Sequence, residues 1–156
     1  MNQDSKLPKL LLMGLIITIM ACSISVPTKS PPVRDQIIKI LFSNGFEEGD
    51  NANHFRNIKY NMIAFTGNGV DFSIIITFDS NHSQDKQIQI VRSILTNLYP
   101  NGIISFYDKN IRRLSNNALN GGDPLSVPTE WINGYMVGMS NINMPGAVEV
   151  AIGNPK

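Results

Sequence analysis

Residues 58–78 read IKYNMIAFTGNGVDFSIIITF. Within this stretch Ile58, Tyr60, Met62 and Ala64 alternate with Lys59, Asn61, Ile63 and Phe65, the period of two expected of a strand. Thr66-Gly67-Asn68-Gly69 then supplies residues that tolerate positive φ, and Val70, Phe72, Ile74, Ile76 and Phe78 alternate with Asp71, Ser73, Ile75 and Thr77. Two alternating runs around such a turn predict a β-hairpin. The unbroken Ile74-Ile75-Ile76 makes its second strand central, covered on both sides within the chain or on its outer side by a partner.

On the N-terminal side of the hairpin, Ile37, Ile38, Leu41 and Phe42 share one face of a helix over 35–44, started by Asp35 and ended by Asn44-Gly45. The polar run EEGDNANHFRN between helix and hairpin reads as a solvated connection. On the C-terminal side, Ser83 or Asp85 starts a second helix carrying Ile88, Val91, Ile94, Leu95 and Leu98, stopped by Tyr99-Pro100-Asn101-Gly102. Ile103 to Tyr107 reads as a short strand, and Asp108 to Trp131 as a long loop rich in Asn, Gly and Pro. Tyr135–Ile142 and Ala147–Ile152 close the chain as a hairpin around Asn143-Met144-Pro145-Gly146, where Pro then Gly suits a type II turn. The order α-β-β-α-β-loop-β-β predicts an α+β two-layer sandwich, with two helices on a mostly antiparallel sheet of about five strands.

The 156 residues, 13 basic against 12 acidic, bound one small domain. Near-neutral charge argues against a nucleic-acid partner, which would need a surplus of cations for phosphates. A single Cys excludes an internal disulfide framework and any multi-Cys metal or cluster site. No cofactor or metal is expected from any motif, and no nucleophile elbow, phosphate loop or zinc-protease signature is present.

That single cysteine lies at the end of the N-terminal segment. Lys6 and Lys9 precede an apolar run, Leu10–Ala21, too short for the ~20 residues that cross a ~30 Å hydrocarbon core. The run ends Ile19-Met20-Ala21-Cys22, which resembles the lipobox of bacterial lipoproteins: a branched apolar residue, a small residue at −1, then the cysteine. Ile19 and Met20 depart from the Leu and the smaller residue that the family prefers.

The resemblance covers residues 1–23. It implies cleavage after Ala21, diacylglyceryl transfer to the Cys22 thiol and acylation of the new amino group, giving the two or three chains that durable anchoring requires. Ser23, in place of an inner-membrane-retaining Asp, implies the periplasmic face of the outer membrane if the cell has two membranes. The competing reading is an uncleaved anchor: extension to Val26 reaches 17 residues, interrupted by Ser23 and Ser25.

The chain thus divides into a signal peptide (1–21), a lipidated cysteine with a Ser/Pro-rich tether (22–33) and a single globular domain (34–156). Cleavage removes two lysines and one aspartate and leaves a formally neutral protein.

Four groups of side chains are candidates for chemistry. Asp50 and His54, spaced i, i+4, would offer a carboxylate and an imidazole to a metal. Asp79 and His82 flank the connection into the second helix, where strand ends aim side chains into clefts, although helix capping with His82 exposed explains them as well. Lys109, Arg112 and Arg113 would fork around carboxylates or phosphates. Trp131 and Tyr135, with Met136, Met139 and Met144, have the composition of a protein-binding surface or of a core.

Two functions are therefore carried forward. One is a lipid-anchored, non-enzymatic envelope module whose partners are the membrane, through Cys22, and an envelope protein or cell-wall component. The other is a small periplasmic hydrolase or metal-dependent enzyme using Asp50/His54 or Asp79/His82. For the anchor, intact mass is expected to match residues 22–156 plus acyl chains, and Cys22→Ser to lose both acylation and membrane partitioning; an unmodified chain, or a mutant that stays in the membrane, removes it.

Overall fold

A computed structural model describes residues 32–67, 70–141 and 145–153. Among these residues the expected α+β class holds, with three helices and one seven-stranded, wholly antiparallel sheet instead of two helices and about five strands. In chain order the elements are α1 (Arg34–Ser43), β1 (Glu47–Glu48), β2 (His54–Asn57), β3 (Met62–Phe65), β4 (Val70–Thr77), α2 (Gln84–Leu98), α3 (Asn101–Leu119), β5 (Ser126–Ile132), β6 (Tyr135–Ser140) and β7 (Ala147–Gly153).

In space the strands run β1-β2-β3-β4-β7-β6-β5. Two meanders, β1–β4 and β5–β7, are therefore joined only where β4 pairs with β7. That ladder carries Ile74 opposite Val150, Ile76 opposite Val148 and Phe72 opposite Ile152, all buried.

The 58–78 hairpin forms, but its first strand begins only at Met62. The Asn57 side chain accepts the Tyr60 N–H (3.1 Å) and donates to the Asn44 carbonyl (2.9 Å), curling Ile58–Tyr60 into a single 3-10 turn that Asn61 ends in the left-handed conformation. Asn68 and Gly69, at the hairpin tip, lie outside the described residues, as do residues 142–144 of the last turn. The polar connection EEGDNANHFRN holds β1 and β2, which extend the sheet by backbone pairing that needs little apolar sequence.

The largest correction concerns residues 101–131. Ile103–Tyr107 is helical, and the expected loop contains the rest of α3 and all of β5. Pro100 ends α2, since the residue before proline avoids the helical region and Tyr99 is extended (φ −124°, ψ 163°). The same proline is the N-cap of α3, where its missing N–H costs nothing. Ile103, Phe106, Tyr107, Ile111, Leu114 and Ala118 then follow helical spacing and are all buried. At the other end Asn133 (φ 51°) and Gly134 (φ 87°) both adopt positive φ, the requirement of the tight turn joining β5 to β6.

The first helix ends at Asn44-Gly45 as expected, but Val33 rather than Asp35 occupies its N-cap. Ser83 caps α2, its hydroxyl accepting the Lys86 N–H. All three helices lie against one sheet face. Inward residues Met62, Ala64, Ile74, Ile76, Val137, Met139, Val150 and Ile152 form one core with Leu41, Val91, Ile94, Leu95 and Ile103. Fully buried Gln87 clamps α2 to the sheet, donating to the carbonyls of Tyr60 and Thr77, each at 2.8 Å. Arg92–Asp108 and Arg112–Asp85 pair α2 with α3 on their outer side.

Among the described residues no helix lies over the opposite sheet face. Ile63, Ile75, Ala151 and Gly138 are partly exposed there, so Ile75 is not covered by any of the described residues. Adjacent isoleucines should accordingly behave differently: Ile74→Ala is expected to cost about 3 kcal/mol in denaturant unfolding, and Ile75→Thr less than about 1 kcal/mol.

Candidate functional site

The four sequence candidates separate in the fold. Asp50 and His54 flank the β1–β2 turn but work apart. Asp50 pairs with Arg56, while the His54 ring stacks on Phe65, its cross-strand neighbour, at 5.1 Å and 8° between planes. His54 also packs onto Gly49, where an added Cβ would lie 2.6 Å from Nδ1. Among the described residues no three His, Cys, Asp or Glu gather as a metal centre.

Asp79 and His82 do meet. The His82 Nδ1 lies 2.8 Å and 3.0 Å from the two carboxylate oxygens, which also accept the Asn81 backbone N–H at 2.7 Å and the Asn61 amide at 3.0 Å. These bonds, His82 foremost, hold the Asp79 carboxyl below its usual range against a smaller opposing effect of desolvation. Helix capping falls to Ser83 instead, and His82 is held rather than exposed. No hydroxyl is hydrogen-bonded to His82 among the described residues, so the pair is an oriented imidazole without an adjacent nucleophile.

Lys109, Arg112 and Arg113 lie on α3, not after a strand. Arg112 is committed to Asp85, which leaves Lys109 and Arg113 on the exposed side of the helix.

Trp131 and Tyr135 fall on opposite sides of the sheet. Tyr135 is 2% exposed and packs edge-on to Tyr99 at 5.4 Å, so of the two readings, binding surface or core, it takes the core. The cause is strand parity, because Trp131 pairs across with Met136, whereas Tyr135 pairs with Ile132. Trp131 (52% exposed) and Met136 (41% exposed) therefore stand together on the uncovered face. Beside them a groove of about 260 Å3 runs between Thr129, Gly138, Ser140, Glu149 and Ala151.

Sequence reading missed this face as a continuous feature. Alternation marks Ile63, Ile75 and Met136 as outward, but only the strand order places them on one surface with Trp131. None of the protein-family models, curated proteins or solved structures compared with the chain matches it.

The Asp79 cluster makes a pH-dependent contribution to stability. A carboxyl whose pKa falls on folding stabilises above its unfolded value near 4, and that contribution disappears as pH drops through the folded value. The stability gap between wild type and Asp79→Asn should therefore be present at about pH 5 and shrink steadily towards about pH 3 in paired denaturation curves.

Proposed function

We propose that this chain is a lipid-anchored cell-envelope protein that acts as a non-enzymatic binding or accessory module. Its lipidated Cys22 holds it to the membrane, on the outer-membrane periplasmic face in a cell with two membranes, and residues 22–33 serve as the tether. The domain beyond presents Trp131 and Met136 to another envelope component, a protein or the cell wall. The observation supporting this reading is the exposed Trp131–Met136 pair on a sheet face that no helix among the described residues covers. Trp and Met suit a binding surface, since a large rigid aromatic and an adaptable thioether both gain when water is displaced. No helix among the described residues is long and apolar enough to cross a membrane.

A second reading, a hydrolase centred on His82, is supported by the carboxylate that orients its ring. No hydroxyl among the described residues is hydrogen-bonded to that ring, and the binding module is preferred.

The test is a photo-crosslinking amino acid placed in living cells at Trp131, at Met136 and, as a control, at Lys109 on the helical side. One discrete adduct is expected from the first two positions and none from the third, with the Trp131 adduct lost in Cys22→Ser. Equal labelling at all three positions, or none at Trp131, would remove the proposal.

A further inference from the structure

Charge is divided unevenly over the domain. Helices α2 and α3 carry five cations, Lys86, Arg92, Lys109, Arg112 and Arg113, against two carboxylates, Asp85 and Asp108. The other described residues carry four Lys and Arg against nine Asp and Glu. Both helix carboxylates are spent on the bridges Arg112–Asp85 and Arg92–Asp108. Lys86, Lys109 and Arg113 are left over: all three are exposed, and no carboxylate among the described residues pairs with them.

These cations lie on the side of the helices away from the sheet. The residues of α2 and α3 that pack on it, such as Val91, Ile94, Ile103 and Leu114, are buried, and the exposed positions form an outward stripe on each helix. Lys109 and Arg113 are one turn apart on α3, and the Asp85–Arg112 bridge brings Lys86 of α2 to the level of that turn. Neutral polar residues, Gln89, Ser93, Ser105 and Asn116, fill the stripes between them. The one exposed large apolar residue of the two helices is Leu119, in the last turn of α3.

A broad cationic surface without aromatic anchors lacks the centre on which protein interfaces depend. It suits a plane of phosphates, which asks only for cations at one level. The path of the chain points the same way. Helix α1 packs beside α2, so the tether, ending at residue 33, enters the fold in the helical layer. Residues 22–33, at ~3 Å each, keep that layer within a few tens of ångströms of the lipid, where the raised local concentration lets a few charges suffice.

We infer that the outer side of α2 and α3 rests on the phosphate headgroups of anionic phospholipids in the membrane to which Cys22 ties the chain, through Lys86, Lys109 and Arg113. The inference rests on the lipidation of Cys22 proposed above. It also orients the domain, turning the Trp131–Met136 face away from the bilayer.

The test is amine acetylation, read lysine by lysine by mass spectrometry, on the full acylated protein reconstituted in vesicles. Phosphatidylcholine vesicles with about 30% phosphatidylglycerol are compared with phosphatidylcholine alone. Lys86 and Lys109 are expected to react about threefold more slowly, or slower still, on the anionic vesicles at about 0.1 M salt, and to recover at about 0.5 M. Lys59, on the 3-10 turn that Gln87 holds at the level of the sheet, should keep its rate. Arg113→Glu should erase the slowing at Lys109 with the circular dichroism of the fold unchanged. Equal rates on the two kinds of vesicle, or equal slowing at Lys59, would overturn the inference. So would slowing by polyglutamate on neutral vesicles without any by phosphatidylglycerol, which would mark an acidic protein as the occupant. An intact mass without acyl chains removes the anchor and this inference together, whereas an acylated chain with equal rates removes this inference alone.

Discussion

The β4–β7 ladder is the constraint on which the rest of the structure depends. Among the described residues it is the one strand pairing between the two meanders, and it lies at the centre of the sheet. Its inward pairs, Phe72–Ile152, Ile74–Val150 and Ile76–Val148, form the floor on which the helices pack. Its outward pairs, Ser73–Ala151 and Ile75–Glu149, form the middle of the uncovered face. One pairing therefore sets the core and the exposed surface together, and a one-residue slip would exchange them.

One-sided burial accounts for where function is sought. The helical side is closed by fully buried side chains, by the Gln87 clamp and by two ion pairs, and beneath its outer charges it leaves little for a ligand to do. The Asp79–His82 cluster fits the same description. Its hydrogen bonds tie the end of β4 to the start of α2, and Asn61 brings the end of the 3-10 turn into the same knot. The opposite side holds large apolar groups with no described element over them.

Where the sequence could be read, local periodicity was sufficient. The β3–β4 hairpin, the span of α2 and the pairing of the last two strands follow from alternation, helical spacing and caps. The errors came from punctuation. Pro100-Asn101-Gly102 reads as a terminus, but a proline that stops one helix is equally fit to start another, and the buried positions of α3 continue past Tyr107 at regular spacing. Asn133-Gly134 is a strong short-range hairpin signal and would have revealed β5 inside the expected loop. Parity counted from that turn would also have separated Trp131 from Tyr135. Other features were not legible in principle. Nothing local tells that Asp50 prefers Arg56 to His54, that Arg112 reaches Asp85, or that residues 70–77 and 147–153 are neighbours.

The order of strands also has a temporal side. The second partner of β4 is β7, with α2, α3, β5 and β6 inserted between the two in sequence. As the polypeptide emerges from N- to C-terminus, the first meander can assemble early, yet β4 must then wait with one row of backbone donors and acceptors unmatched beside Ile74-Ile75-Ile76. Nascent chains of this protein thus carry a sticky edge from the synthesis of β4 until β7 emerges and removes it. A stop codon or protease cut before residue 147 would leave that edge open permanently, so truncated products are intrinsically prone to aggregate or to be degraded.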